Sequence, residues 1–156
     1  MCAVAWCAGP LLSRPDVRKA LDYIKDHEPD QIAKQIAIAQ VAAPPFHEQA
    51  RAKVLAEEFR RAGLSDVETD GIGNVLGWIH GSSPRALVIA AHLATVFPEG
   101  TDVTVKHSGG RLVGPGLVDD TRGLTAVLAI VEAMKAAGVH LRRSLLFVAD
   151  VGEAGG

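Results

Sequence analysis

Apolar residues recur at helical spacing through the first third of the chain and in short dense runs after it. Ser13, Pro15 and Asp16 read as a helix start, and Val17, Leu21 and Ile24 supply the apolar stripe of a helix ending near His27. Pro29 suits the first turn of a second helix, with Ile32, Ile36 and Ala39 as its apolar positions and Ala43-Pro44-Pro45 as its stop. A third helix is expected from about His47 to Ala62, carrying Ala50, Val54, Leu55 and Phe59 on one side and closed by Gly63.

From Asp66 onward the texture changes to short apolar runs bounded by glycine. Asp66 to Thr69, Asn74 to Ile79 and Ala86 to Ala91 read as strands, and the continuously apolar third is expected in the buried middle of a sheet. Val103 to Lys106 and Arg111 to Val113 flank Ser108-Gly109-Gly110 as a hairpin. A long helix follows from about Asp120 to Ala137, with Leu124, Leu128, Val131 and Met134 inward and Gly138 as its stop. Ser144 to Asp150 forms a last buried strand. Strands alternating with helices predict an α/β fold, a layered sheet with flanking helices.

Composition narrows the class without changing the fold. The 156 residues are 48% hydrophobic and 22% charged, which excludes disorder across the chain. Sixteen basic and eighteen acidic residues give a net charge of -2 with no basic stripe, so nucleic acid is not an expected partner. No apolar run approaches the roughly 18–20 residues that span a bilayer, so no membrane association is expected. Residues 1–12 read as a disordered leader. They lack the positive n-region of a secretory signal, and Pro10 would interrupt a helical core. Cys2 and Cys7 have no second pair to complete a zinc knuckle, and a reduced cytoplasmic setting is expected.

In layered α/β domains ligands gather at the carboxyl ends of buried strands. His92 follows one such strand, Asp119 and Asp120 open the long helix, and Glu153 follows the last strand. Imidazole with carboxylates suits zinc or a similar divalent ion. Taken singly, each residue has a plainer account. His92 can be a hydrogen-bonded strand-end histidine, the two aspartates can serve the positive end of the helix dipole, and Glu153 can be a solvated carboxylate. Gly114-Pro115-Gly116 before a helix suggests a phosphate cradle only faintly. Pro115 offers no N–H, and two aspartates stand where an anion would bind.

Three segments taken together go further: His92-Leu93-Ala94-Thr95-Val96-Phe97-Pro98, the run Gly114 to Gly123, and Gly152-Glu153-Ala154-Gly155. In order and spacing they resemble the successive metal-site motifs of the zinc-dependent family of aminoacylase, acetylornithine deacetylase, succinyl-diaminopimelate desuccinylase and peptidase T. The family motifs read His-x-Asp-Thr-Val, a Gly-x-Gly-x-x-Asp turn into a helix, and a Glu-Glu pair after a strand. The resemblance implies His92 as the ligand of one zinc, Asp119 as the carboxylate bridging two, and Glu153 as general base. It implies that residues 13–156 are the N-terminal part of a catalytic domain, with the family's dimerisation domain and C-terminal part absent. The family's substrates are peptides or N-acyl amino acids, and a metal that lowers the pKa of bound water to about 7 beside a carboxylate base suits amide hydrolysis.

Two positions depart from the pattern. Ala94 stands where the family has an aspartate that orients the histidine or the base, and Ala154 where the second glutamate would bind zinc. With only His92 and Asp119 as ligands, zinc binding is expected to be weak or absent. The expected function is therefore that of a truncated, inactive relative of zinc exopeptidases and amide hydrolases. The alternatives are a non-catalytic binding or regulatory domain that partners a full-length paralogue, and a gene fragment without function. A fragment should expose apolar surface around Leu145 to Val148.

Overall fold

A computed structural model describes residues 11–155. The expected leader, with Cys2 and Cys7, lies outside the described residues except for Leu11 and Leu12. Pro15 opens helix α1 (Pro15–Asp26), and Pro29 sits in the first turn of α2 (Glu28–Ala39), where Glu28 and Asp30 face the positive helix end. Helix α3 (Gln49–Ala62) ends at Gly63, whose φ of 88° is the left-handed conformation that a Cβ penalises.

Strands β1 (Ser65–Thr69), β2 (Val75–Ile79) and β3 (Ser83–His92) follow, then a separate hairpin of β4 (Lys106–Ser108) and β5 (Arg111–Val113) turning at Gly109-Gly110. Helix α4 (Thr121–Ala137) and strand β6 (Arg143–Asp150) come next, and a single 3-10 turn (Glu153–Gly155) ends the described chain. The main sheet has the order β1-β2-β6-β3. β6 runs antiparallel to β2 and parallel to β3, with Ile89 opposite Phe147 and His92 opposite Asp150. The fold is the expected α/β arrangement of a sheet with helices packed on it.

The core lies between one sheet face and the helices. Val75, Phe147 and Ala149 from the sheet meet Ile38, Leu55, Phe59, Leu124, Leu128 and Val131 from α2, α3 and α4. Helix α1 rides on α4, where Val17, Leu21 and Ile24 share an apolar groove with Ile130 and Met134. The expected stripe is thus present, but none of α1 is fully buried and Leu21 remains 49% exposed.

Two expectations about burial fail. The inward face of α2 is Gln31, Gln35, Ile38 and Ala39, one position round from the Ile32, Ile36 and Ala39 stripe. The reason is polar: Gln31 donates to the Ile24 carbonyl and Gln35 to that of Leu117, so both amides are satisfied inside. The second concerns β3, which lies at the sheet edge, with Leu87 53% and Val88 57% exposed. The buried central strand is β6, because it has neighbours on both sides. Smaller differences are Ala50, which is exposed on α3, and β4, which begins at Lys106 instead of Val103.

Candidate active site

Three turns meet at the carboxyl ends of β3 and β6. The first leaves β3 with His92, the second leads into α4 with Asp119 and Asp120, and the third follows β6 with Glu153. His92 Nε2 lies 2.9 Å from Asp119 Oδ1, and its Nδ1 lies 2.9 Å from the Ala94 carbonyl oxygen and 3.8 Å from Glu153 Oε2. The structure therefore brings together all three residues singled out in the sequence. The His92 side chain is mostly buried, while those of Asp119 and Glu153 are 74% and 62% exposed.

The paired aspartates divide their tasks. Asp120 is the N-cap of α4: its Oδ1 accepts from the Gly123 N–H at 2.9 Å, and its Oδ2 accepts from the His92 backbone N–H at 3.3 Å. A Cβ at position 123 would come within 2.2 Å of that carboxylate, so the cap requires glycine there. The helix-dipole account of the pair thus falls to Asp120, and Asp119 is left facing the imidazole. The peptide between them is cis.

The imidazole of His92 stands between two acceptors, a carbonyl and a carboxylate, so both ring nitrogens donate when it is charged. Burial opposes that charge, yet the bonds to Asp119 and Ala94 and the fields of Asp120 and Glu153 outweigh it and raise the His92 pKa. The position of the aspartate missing at 94 does not leave the ring without an orienting partner, because the Ala94 backbone carbonyl takes Nδ1. Asp150, at the end of β6, is a site neighbour that the sequence reading passed over. Burial pushes its carboxyl up, His92 opposes this, and Glu153 and Asp120 add to it; its Oδ1 is buried without a hydrogen-bond partner. Its place as the last residue of an apolar strand was the signal available.

Three more polar side chains were missed, all from α2 and the start of α3: Gln35, Glu48 and Arg51 are buried against the backbone of these turns. No local pattern marks them, since each bonds to residues distant in sequence.

A zinc ion takes four ligands, or three and a water. His92 Nε2 and Asp119 Oδ1 offer two donors to one point, Glu153 approaches the other ring nitrogen, and Ala154 offers none. Among the described residues no group of three or more His, Cys, Asp or Glu side chains is arranged to hold a metal ion. The residues present do not complete a zinc site. A cavity of about 590 Å³ borders the Glu153 turn, lined by Phe46, Glu48, Gln49, Asp70, Ile72 and Val151 among others.

The segment that contains all three turns is similar to a known family. Residues 88–156 match peptidase family M20/M25/M40. The resemblance drawn from the three motifs is borne out, and the M20 segment begins within β3 and includes α4 and β6. No curated protein matches the chain. Among solved structures, the di-peptidase Dug1p from Saccharomyces cerevisiae is similar with a TM-score of 0.72 at 17% identity, over 89% of this chain and 35% of that one. Human carnosine dipeptidase 1 gives 0.71 at 18%, again over 89% and 35%. Aminopeptidase PepT from Bacillus cereus ATCC 10987 gives 0.69 at 22%, over 81% and 37%. At these identities the likeness is one of fold, and the chain spans little more than a third of each of those proteins. No helix among the described residues is long and apolar enough to cross a membrane.

Proposed function

We propose that this chain carries part of the active site of an M20-type peptidase or amide hydrolase, with His92 and Asp119 as metal ligands and Glu153 as general base. The observation that supports this reading is the convergence of His92, Asp119 and Glu153 at the carboxyl ends of the parallel pair β3 and β6, the edge where α/β sheets bind ligands. The substrate class is a peptide or N-acyl amino acid, the cation zinc, and the compartment the cytoplasm. With two grouped donors and alanine at 94 and 154, the chain by itself holds zinc weakly and hydrolyses neither dipeptides nor N-acyl amino acids.

Calorimetric titration with zinc tests this reading. Weak binding that disappears in His92→Ala, with little change in melting temperature, is expected. Tight stoichiometric binding with a large rise in melting temperature would overturn the weak-site reading, since a ligand of the native state alone must stabilise it. Metal-dependent turnover that is lost in Glu153→Gln would overturn inactivity. Substituting Ala94→Asp together with Ala154→Glu is expected to raise zinc affinity about 10- to 100-fold without restoring hydrolysis.

The exposed apolar residues of β3 favour a second reading, a non-catalytic domain that lends this edge to a full-length paralogue. Co-elution with such a relative, abolished by Val88→Lys, would support it.

A further inference from the structure

The M20 segment starts at residue 88, yet each of its three site turns is gripped from the helices that precede it. Gln35 of α2, 8% exposed, donates from Nε2 to the Leu117 carbonyl at 2.7 Å, two residues before Asp119, and its Oε1 accepts from Arg122 at 3.2 Å. Glu48, 2% exposed at the N-cap of α3, accepts with Oε1 from the Gly152 N–H at 3.0 Å, next to Glu153, and from the Phe46 N–H at 2.9 Å. Arg51, fully buried one turn later, donates from Nη1 to the Leu93 carbonyl at 2.8 Å, next to His92.

Arg51 has no carboxylate partner among its hydrogen bonds. Its remaining donors go to the Val41 carbonyl at 2.9 and 2.7 Å and to the Ala39 carbonyl at 3.4 Å, the negative end of α2. Burial lowers its pKa to about 10, which leaves it charged at neutral pH. A planar fork with five donors can hold three carbonyls at fixed relative positions, which a lysine cannot. Buried charged and amide groups are costly unless satisfied, so they fix the geometry of whatever satisfies them. Here that is one backbone group in each site turn.

We infer that Gln35, Glu48 and Arg51 are positioning residues, one for each turn, which set the mutual placement of Asp119, Glu153 and His92 from α2 and the start of α3. The term positioning rests on the reading of those three as the site, but the placement itself is measurable without metal or substrate. Residue-resolved amide hydrogen exchange on the full 156-residue chain provides the test. The reporters are Thr121 and Gly123 for the Asp119 turn, Gly152 for the Glu153 turn, and Leu93 and Thr95 for the His92 turn, each of which donates a backbone hydrogen bond there.

Gln35→Met, Glu48→Leu and Arg51→Met are each expected to accelerate exchange at their own reporters by about tenfold relative to amides inside α4, such as Leu128. Glu48→Gln, which keeps the accepting Oε1, should stay near the parent. Leu128→Ala, a core substitution, should destabilise the chain without singling out any turn. Acceleration of all amides to the same degree, or unchanged reporters, would overturn the proposal. If Arg51→Met does not fold, Arg51→Lys serves, with the same acceleration at Leu93 and Thr95 expected because one ammonium cannot hold three carbonyls. A parallel cobalt titration keeps the two readings apart: failure of the parent to bind cobalt removes the metal-site reading, while turn-selective exchange still decides the bracing.

Discussion

Strands β3 and β6 carry similar apolar runs, Ala86 to Ala91 and Leu145 to Val148, and lie side by side in parallel register, yet they meet different surroundings. β6 is paired on both edges, and Leu145, Phe147 and Ala149 are buried under the helices. β3 is paired on one edge only, and Leu87 and Val88 are more than half exposed. An apolar run predicts that a strand can be buried; its neighbours decide whether it is. The opposite sheet face repeats the lesson, since Leu76, Trp78, Leu146 and Val148 lie outside the core cluster and are only partly buried.

The sharpest way to test the contrast is to cut one large side chain from each strand. Phe147→Ala is expected to cost about 3–5 kcal/mol in urea denaturation, the range for a fully buried aromatic, and Leu87→Ala about 0.5–1 kcal/mol. Equal costs would mean that β3 is covered in solution. Next in size is association. The devices that blunt edge strands, here Pro84, Arg85 and the register shift between Ser83 and Ala86, lie only at the start of β3, and Ala86 to Ala91 carries no charge, so light scattering is expected to detect self-association that Val88→Lys reduces without loss of stability.

The smallest effect belongs to the shared end of the two strands. Because the folded state raises the His92 pKa, its protonated form is favoured by folding. The contribution is complete below the ordinary imidazole value of about 6.5 and is lost as pH rises through the raised value. His92→Gln should therefore lose stability relative to the parent at acidic pH, with the difference shrinking as pH rises, in denaturation curves taken across that window. A difference that grows with pH would break the pairing of His92 with Asp119.

Punctuation was the most legible part of the fold. Gly63 and Gly138 stop their helices, Gly109-Gly110 turns the hairpin, and the apolar strands fall where their composition puts them. The grouping of His92, Asp119 and Glu153 was legible too, because each follows or opens an element at the same sheet edge. What sequence periodicity could not show is satisfaction at a distance. Gln31 and Gln35 look like the wet face of a helix and are buried, because their partners are carbonyls of Ile24 and Leu117. Arg51 and Glu48 look like surface charge for the same reason. Asp119 and Asp120 are adjacent and chemically alike, and only the cap at Gly123 tells them apart.

The parallel pairing of β3 with β6 also sets an order of events. Ile89 finds Phe147 only across a connection that contains a hairpin and the whole of α4, and Gly77 reaches the same Phe147 across a longer one still, so the two ladders of β6 carry the large loop-closure costs in the sheet. Helices and hairpin can form from contacts close in sequence, but His92 and Glu153 ride on strands that must first meet. Pulse-labelled exchange during refolding is accordingly expected to protect amides within α4 before those of Ile89 and Phe147. A chain caught before that step has its helices and lacks its site.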